Sequence, residues 1–508
     1  MKIKKNLYVF LLVGICFATN LAQSTKLDSL DVYITKSMKE WTLPGLSVAI
    51  IHNDTVRYLK GFGVKSVNTN DEVDENTNFQ LASLSKAFTT TALAMLVEEG
   101  KIKWDDPVRK YLPWFEMYDD YVSNQMTIRD LVTHRSGLST FSGDLLWFGT
   151  DYSREEVIKR AKFLEPKFGF REKYGYQNIM FTAAGEIIPA VTGKSWDDFV
   201  KERIFTPLGM KTTMTSISQI KNGTNVAYPH QDTFGELIEI PYYNLDNCAP
   251  AAGILSNVNE LSNWVKLHLN QGVFEGDTLF SKSTSNEMFS NHMHVGNQNY
   301  GLGWFLRNRN GKKIVEHGGG MPGIITTVTL IPEENFGIVI LSNKITYLVS
   351  ALKNYIIDLY FEEGNPKDFS AQYLPFYERS QKRIADSDAK MDSMRVEGTS
   401  PSYPLEKFTG TFTDEMYGDA TISLNDDQLF IQFVPTQSLK GKMSHWHFNT
   451  FLLEWEDAFH KPTRGFVRFE MNSLGEIYRM IIDTPHTPDF HFHEFDFRKA
   501  GVREFIID

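Results

Sequence analysis

The stretch FQLASLSK at residues 79–86, followed by AFTTTALAMLV at residues 87–97, decides the fold of this chain. Ser83 and Lys86 are three positions apart, so on a helix the two side chains share one face and the amine can reach the hydroxyl. The segment that follows them carries no charged residue. Because a helix that is uncharged on all sides is a buried one, Ser83 and Lys86 are predicted at the N-terminus of a helix that enters the core.

The spacing of Ser83 and Lys86 is not specific by itself, because a Ser and a Lys three positions apart are more often two solvated surface side chains than a catalytic pair. The same spacing occurs at Ser218/Lys221, Ser350/Lys353 and Ser387/Lys390. The long uncharged segment that follows Lys86 distinguishes the first pair from the others. At such a helix start the dipole favours a developing alkoxide, and burial lowers the pKa of a lysine amine. Ser83 is therefore the candidate nucleophile.

Further motifs follow along the chain, namely MTIRDLVTHRSGL at 126–138, Tyr176-Gln177-Asn178, the segment 192–210 ending in Pro-Leu-Gly-Met, and His317-Gly318-Gly319. Together with FQLASLSK they resemble, in type and order, the motifs of class C β-lactamases and their relatives, which include alkaline D-peptidases and type VIII esterases. The resemblance extends over residues 26–360. It implies an α+β fold of the β-lactamase/transpeptidase type with two lobes, one built on an antiparallel sheet and the other helical.

The resemblance implies catalytic roles for Ser83, Lys86 and Tyr176. Ser83 would attack a carbonyl group and form an acyl-enzyme. Lys86 and Tyr176 would share the general-base and general-acid work, since a phenol near ammonium groups loses its proton more easily.

Substrate-binding roles are implied for Asn178, His317, Gly319 and Gly320. Asn178 would donate a hydrogen bond to a carbonyl or amide of the substrate. The backbone N–H groups of Ser83 and Gly320 would form an oxyanion hole, which contributes on the order of several kcal/mol to transition-state stabilisation.

The third motif departs from the family pattern. β-Lactamases and carboxypeptidases usually present Lys-Thr-Gly, whose Lys and Thr bind the carboxylate of the substrate, whereas this chain has His317-Gly318-Gly319. An imidazole with a pKa of about 6.5 is mostly neutral at pH 7, and Gly318 lacks a hydroxyl. We therefore expect weak carboxylate recognition and inefficient penicillin turnover, with hydrolysis itself retained, as in esterase and peptidase relatives.

These observations predict a serine hydrolase that cleaves an amide, peptide or ester bond of a small molecule or peptide, with cell-wall-derived compounds among the candidate substrates. One alternative is a penicillin-binding D-Ala-D-Ala-type peptidase or a weak β-lactamase. A second alternative is a non-catalytic binding protein on the same fold, against which the complete set of Ser83, Lys86, Tyr176 and Asn178 argues. Loops such as Phe141 to Tyr152 are expected to line the cleft but contain no pattern that names the substrate, and the oligomeric state stays open.

Other candidate sites are weaker. Tyr242-Tyr243-Asn244 repeats the Tyr-x-Asn pattern, but the helix motif that follows Tyr176 does not follow it. His134 could belong to a Ser-His-Asp triad, but the sequence contains no Gly-x-Ser-x-Gly motif to supply the serine. Cys248 is expected to be a buried side chain. The histidines at 292, 294, 486, 491 and 493 lack a carboxylate or cysteine set that would complete a metal site, so no metal or cofactor is expected.

The N-terminal residues predict where the protein is located, and the net charge argues against one class of partner. Lys2, Lys4 and Lys5 precede an apolar run at residues 7–17, which predicts a signal peptide over 1–22 and export to the periplasm or the extracellular space. A lipoprotein modified at Cys16 and an uncleaved anchor are the alternatives, and no later segment is expected to span a membrane. With a net charge of -11 and no basic stripe, nucleic acid is not an expected partner.

The 508 residues divide into several units. Residues 26–360 form the hydrolase domain, in which strands near 45–64, 324–331 and 336–341 enclose a helical insert and a last helix covers 348–360. A charged linker at 361–402 is predicted to carry a helix over 381–394. Short alternating runs from 403 to 508 predict a small, lipocalin-like β-barrel, whose expected work is packing, dimerisation or shaping of the cleft.

Overall fold

The computed structural model describes residues 27–485, 487 and 489–504. The predicted signal peptide and His486 lie outside the described residues. Within these ranges, no helix combines the length and the apolar character needed to cross a membrane.

The first domain is built on one antiparallel sheet of eight strands. Its strands are β1 Gly45–His52, β2 Thr55–Gly63, β9 Met293–Val295, β10 Gln298–Tyr300, β11 Phe305–Arg309, β12 Lys312–Met321, β13 Ile324–Ile331 and β14 Phe336–Ser342. Three separate pairs are formed by β3 Phe79–Gln80 with β6 Leu255–Ser256, β4 His230–Thr233 with β5 Glu236–Glu239, and β7 Val273–Phe274 with β8 Asp277–Thr278. The strand order in the large sheet is β2-β1-β14-β13-β12-β11-β10-β9.

The helices cover both faces of this sheet and form the second lobe. They are α1 at 27–40, α2 Ser85–Glu98, α3 Asp120–Gln125, α4 Ile128–Val132, α5 Arg154–Arg160, α6 Asn178–Thr192, α7 Trp196–Val200, α8 Ala249–Ala252, α9 Val258–Leu269, α10 Lys282–Met288 and α11 Leu348–Phe361. The predicted two-lobed α+β architecture of the β-lactamase/transpeptidase type is confirmed.

The apolar run of β1 has a simple cause. Successive side chains of a strand point to opposite faces, so a strand covered on both sides is apolar throughout. Val48 and Ile50 belong to a core cluster that includes residues of α1 and α11. Ala49 and Ile51 belong to a second cluster that includes residues of α9. The hairpin predicted at 45–64 is confirmed as β1 and β2, and β1 pairs with β14 from the other end of the domain.

Strands β9 to β11 were missed by the sequence patterns. They are three to five residues long and contain polar residues, so none shows a long alternating or apolar run. Their place is set by β12, which pairs with β11 and extends the sheet beyond the predicted strands.

Helix α2 is the centre of the helical lobe, as its uncharged sequence predicted. The Phe88 ring stacks on Trp264 of α9 with ring centroids 3.9 Å apart, and it meets the edge of Phe205 at 5.8 Å. The threonines in this buried helix still satisfy their hydroxyl groups. Thr89 donates to the carbonyl oxygen of Pro250 at 2.6 Å, and Thr91 donates to that of Ala87 at 2.8 Å. Burial of α2 therefore leaves these polar groups hydrogen-bonded.

The linker helix, α12 Phe369–Ser393, begins twelve residues before the predicted start at 381. The reason is an N-cap, because the Asp368 carboxylate accepts a hydrogen bond from the Ala371 N–H at 3.0 Å. Its first turns also pack on the hydrolase domain, where Trp41 donates to Ser370 at 2.9 Å.

The C-terminal unit is a closed barrel of eight antiparallel strands, which confirms the predicted all-β barrel. The strands are β15 Gly410–Asp414, β16 Gly418–Asn425, β17 Gln428–Phe433, β18 Lys440–His447, β19 Thr450–Trp455, β20 Arg464–Met471, β21 Ile477–Asp483 and β22 Phe497–Lys499. Its interior is filled by aromatic rings that contact one another, including Phe408, Phe412, Phe451 and Phe469.

The barrel is tied to the helical lobe by partly buried polar contacts. The carboxylate of Glu494 accepts hydrogen bonds from the Ser142 hydroxyl at 2.6 Å and the Gly143 N–H at 3.0 Å. Tyr243 donates to Asp457 at 2.7 Å. Because hydrogen bonds to charged groups each contribute about 1.5–3 kcal/mol, these contacts fix the barrel against the lobe.

Replacing Phe88 by alanine is expected to destabilise the hydrolase domain by about 3–5 kcal/mol, because it leaves a cavity beside Trp264. Chemical denaturation followed by tryptophan fluorescence measures this loss. Phe376→Ala, at a ring that is 59% exposed, is the matched control and should change stability by less than about 0.5 kcal/mol. Equal losses in the two variants would contradict the central position of α2.

Candidate active site

Ser83 lies on a single helical turn, Ala82–Leu84, that leads directly into α2. The preceding residue, Ala82, has a φ of 49°, in the left-handed region that residues with a Cβ rarely adopt. Neighbouring strands hold this turn, since the Leu81 N–H donates to Ile254 at 2.7 Å and its carbonyl accepts from Thr326 at 2.9 Å. Such backbone strain concentrates at functional sites, where the surrounding structure enforces it.

Lys86 is fully buried at the base of the site. Its Nζ lies 3.1 Å from the Ser83 Oγ, 2.6 Å from the Asn178 Oδ1 and 3.1 Å from the carbonyl oxygen of Ala251. Burial lowers the pKa of Lys86 to about 7, against a smaller opposing effect of Cys248 and Asp144. A neutral amine donates two hydrogens, and carbonyl oxygens at Asn178 and Ala251 accept them. Its lone pair is then left facing the Ser83 hydroxyl.

Asp144 sets the orientation of the Asn178 amide. The Asn178 Nδ2 donates to the Asp144 Oδ2 at 2.8 Å, which turns the Oδ1 towards Lys86. The other carboxyl oxygen of Asp144 accepts from the Trp147 Nε1 at 2.8 Å. Burial raises the pKa of Asp144 to about 7. Asn178 was expected to donate to the substrate; in this structure it connects Asp144 to Lys86 while also lining the cavity.

Tyr176 stands beside both reacting groups. The Ser83 side chain lowers the pKa of the Tyr176 phenol, against the larger effect of burial, and the Tyr176 ring centroid lies 4.6 Å from the Lys86 Nζ. We expected nearby ammonium groups to make its proton easier to lose, and the structure differs. Burial raises the pKa of Tyr176 well above its usual value, because the phenolate would be desolvated and Lys86 loses its own charge near neutral pH. The geometry thus makes Lys86 the base and keeps the Tyr176 phenol protonated.

A directed chain of hydrogen bonds holds the third motif. The Gln177 N–H donates to the His134 Nδ1 at 3.0 Å, so His134 must carry its proton on Nε2, which lies 3.2 Å from the Tyr300 hydroxyl. The Tyr300 hydroxyl lies 3.1 Å from the His317 Nε2, and the His317 Nδ1 lies 2.6 Å from the carbonyl oxygen of Gly318. One proton arrangement satisfies all four contacts, with both imidazoles neutral.

Burial also keeps these two histidines uncharged. It lowers the pKa of His317 to about 3 and that of His134 well below its usual value, and the charge of Lys86 adds to both effects. In this chain, a neutral network therefore occupies the position where the family pattern has a lysine.

Gly319 and Gly320, both predicted to bind substrate, have different positions. Gly320 lines the same cavity as Ser83, on a part of β12 beyond the residues that pair with β11. Gly319 is buried behind it. A Cβ at Gly319 would lie 2.0 Å from the Leu81 carbonyl oxygen and 3.0 Å from the Ser83 nitrogen. Gly319 therefore allows β12 to approach the turn that carries the nucleophile, and Gly320 is the residue that faces the substrate space.

A cavity of about 580 Å³ opens over Ser83. Tyr176, Asn178, His317 and Gly320 line it together with the loop at 141–152, which was expected to line the cleft, and with barrel residues that sequence reasoning missed. The barrel contributes Phe459, Asp489 and Phe490, and the loop at 141–152 contributes Phe141, Asp144 and Trp147. No short motif marks these residues in the sequence, because only the tertiary fold brings them to Ser83.

Two of the competing candidates, Tyr242-Tyr243-Asn244 and Cys248, have other roles in the structure. Tyr242 donates to the carbonyl oxygen of Ala227, and Tyr243 is part of the contact with the barrel. Cys248 is buried, and burial raises the pKa of its thiol to about 12, which leaves it protonated. Within residues 27–485, 487 and 489–504, no three His, Cys, Asp or Glu side chains are grouped to hold a metal ion.

Gly319→Ala is expected to lower kcat/KM at least about 100-fold, because its methyl group displaces the turn that carries Ser83 and its backbone N–H. Hydrolysis of an activated ester and circular dichroism of the variant measure activity and folding. Gly318→Ala is the matched control, since its Cβ meets only the Thr326 carbonyl oxygen at 3.3 Å. A larger loss at Gly318 than at Gly319 would contradict this account.

Comparisons with known proteins agree with this geometry. Residues 30–359 match the model of the family described as Beta-lactamase, and residues 394–499 match a domain of unknown function, DUF3471. An Aspergillus campestris protein named Unguisins hydrolase ungD' is 26% identical over 416 residues, which cover 78% of this chain and 77% of that protein. Protein flp of Staphylococcus aureus is 26% identical over 332 residues, and the match spans 65% of either chain.

Among solved structures, the octameric penicillin-binding protein homologue from Pyrococcus abyssi superposes with a TM-score of 0.61 at 22% identity, covering 93% of this chain and 100% of that one. At this identity the likeness shows a common fold. The family match covers well over half of the chain and includes Ser83, Lys86, Tyr176 and the His317 strand. This chain is therefore a member of the β-lactamase family, a family with a serine hydrolase fold.

Proposed function

We propose that this protein hydrolyses an ester, amide or peptide bond through an acyl-enzyme on Ser83. The observation that carries the proposal is the contact of 3.1 Å between the Lys86 Nζ and the Ser83 Oγ, made by an amine whose pKa is lowered to about 7. A general base is most effective when its pKa lies near the working pH. That one relative is named as a hydrolase adds support.

In the proposed acylation step, Lys86 takes the proton of the Ser83 hydroxyl and the Oγ attacks the carbonyl carbon of the substrate. The backbone N–H groups of Ser83 and Gly320 stabilise the oxyanion. The leaving group then departs with a proton from the Tyr176 phenol, and Lys86 returns a proton to Tyr176. Because the pKa of Tyr176 is raised, its phenol remains a proton donor throughout.

Deacylation uses the same groups in reverse. A water molecule enters where the leaving group stood, gives its proton to Lys86 through Tyr176, and attacks the acyl carbon. Ser83 regains its proton when the second tetrahedral intermediate collapses. Asn178 and Asp144 hold the amine in place during both steps.

A penicillin-binding D-Ala-D-Ala-type peptidase, or a weak β-lactamase, is the second candidate, favoured by the family match and by the fold of the Pyrococcus abyssi homologue. The neutral His134–Tyr300–His317 network weighs against it, because it offers no cation to the carboxylate of such substrates. A non-catalytic binding protein is less well supported, since Ser83, Lys86 and Tyr176 are in mutual contact.

We also propose that the protein is exported and works in the periplasm or the extracellular space. The basic residues 2, 4 and 5 and the apolar run at 7–17 support this proposal. N-terminal sequencing of the protein from its natural source tests it, and a mature chain that still begins at Met1 in the cytoplasm would contradict it.

Ser83→Ala is expected to abolish labelling by a fluorophosphonate and hydrolysis of activated esters, because the only proposed nucleophile is removed. In-gel fluorescence and mass spectrometry of the labelled peptide measure this. Ser218→Ala is the matched control, as Ser218 has the same spacing to a lysine on an exposed turn and should label like wild type. Labelling of the wild type by a fluorescent penicillin as well would favour the second candidate; unchanged labelling of Ser83→Ala would refute the nucleophile.

The value of kcat/KM is expected to fall about tenfold per pH unit below about pH 7, because Lys86 must be unprotonated to accept a proton. A pH–rate profile on a neutral ester measures this. Asp144 also titrates near pH 7, and Asp144→Asn separates the two groups. Since the Asp144 charge raises the pKa of Lys86, its removal should move the rising limb to lower pH. Disappearance of the limb would assign the titration to Asp144 instead.

A further inference from the structure

The cavity over Ser83 has an uneven charge distribution. Asp144 and Asp489 are the only charged side chains that line it within the described part of the chain. Lys86 is fully buried below the floor, and the histidine in the lining, His317, is neutral. The lining therefore presents negative charge and no positive charge to a substrate, which favours a cation over an anion.

The two carboxyl groups come from different domains and influence each other. Asp144 belongs to the helical lobe, whereas Asp489 lies beside Phe490 on a barrel segment that closes one side of the cavity. Burial raises the pKa of Asp489, and the Asp489 charge contributes to the raised pKa of Asp144. Lys86 opposes this rise at Asp144, and His491 opposes it at Asp489. Lys86 loses its charge near pH 7, and the His491 Nδ1 lies 3.3 Å from the Glu494 Oε1, with which it pairs. A bound ammonium group would therefore supply the two carboxylates with a counter-charge of their own.

The surroundings of these carboxyl groups also suit an ammonium group. The rings of Trp147, Phe459 and Phe490 line the same cavity, and aromatic faces attract cations. A further polar group in the lining, the buried hydroxyl of Tyr174, has no hydrogen-bond partner among the residues that the structure describes. Buried polar groups are nearly always hydrogen-bonded, so this hydroxyl indicates that the cavity is built to hold a polar ligand.

The position of Asp144 decides which part of the substrate carries the charge. Asp144 reaches Ser83 through three hydrogen bonds, by way of Asn178 and Lys86. Tyr176, which we assign to the leaving group, stacks on His134 with ring centroids 4.3 Å apart and adjoins the neutral histidine network. We therefore assign a group bound by Asp144 to the acyl part of the substrate, near the scissile carbonyl.

We propose that Asp144 and Asp489 form a subsite for a protonated amine on the acyl part of the substrate, within a few bonds of the scissile carbonyl. This proposal rests on the proposed acyl-serine hydrolysis at Ser83 and names its substrate class. The favoured substrates are esters or amides of amino acids, and peptides, whose amino group near the scissile carbonyl is free.

The test compares alanine methyl ester with N-acetylalanine methyl ester, in both D and L forms, at pH 7. Wild-type protein is expected to prefer the free amine by about tenfold or more in kcat/KM, as close charge pairs provide. Asp489→Asn should reduce this preference several-fold, mainly through KM of the free amine. Asp489 is the informative position, because Asp144 also orients Asn178. Asp426→Asn, at an exposed turn of the barrel, is the matched control and should keep the wild-type ratio.

Two outcomes overturn the subsite, namely an equal or reversed preference in wild type, and an unchanged preference in Asp489→Asn. Fluorophosphonate labelling of Ser83 in the same samples distinguishes failure of the subsite from failure of the proposed function. If Ser83 is labelled, the hydrolase proposal stands and only the subsite fails; if Ser83 is not labelled, the proposed function fails. If neither ester is cleaved, 1-aminoethylboronic acid and its N-acetyl derivative replace them. Tighter binding of the free amine, weakened by Asp489→Asn, supports the subsite; equal binding refutes it.

Discussion

Burial of the Lys86 amine is the constraint on which the rest of the site depends. An ammonium group removed from water costs several kcal/mol unless a charge pairs with it, and within the described residues the direct partners of Lys86 are uncharged oxygens. The amine therefore loses its proton near pH 7, and the fold directs its lone pair to Ser83. A more open helix would keep Lys86 hydrated and charged, so the uncharged segment 87–97 is a chemical requirement as well as a packing one.

The dependence of Lys86 on a buried, uncharged helix explains how much of the site the sequence could predict. Residues 79–97 encode the buried helix and its reactive pair locally, and the apolar strands β1 and β14 follow from burial on both faces. Asp144 and Tyr300 could not be found in this way, because each acts through a partner distant in sequence, Asn178 in one case and two histidines in the other. Sequence patterns report what a segment does by itself, and these residues work only after the lobes have met.

The raised pKa of Tyr176 follows from the same constraint. A phenolate is stabilised by neighbouring positive charge, and the sequence suggested that nearby ammonium groups would provide it. In the folded protein Lys86 is near neutrality, and His317 of the third motif is one of two uncharged imidazoles joined by Tyr300, the other being His134. Among the described residues that line the cleft, none is a cation that would draw a proton from Tyr176 or bind a carboxylate. The histidine that stands in the third motif, where the related pattern has a lysine, therefore bears on both the proposed acid–base chemistry and the proposed specificity.

The position of the barrel also affects the geometry around Lys86. Glu494 holds Ser142 and Gly143, and the next residue, Asp144, turns the Asn178 amide towards Lys86. Each contact in this series is buried or partly buried, where a lost hydrogen bond costs about 1–3 kcal/mol. A shift of the barrel would therefore change the loop, the amide and the base together. Because Glu494 holds the loop that orients this amide, the C-terminal unit is a structural component of the candidate active site.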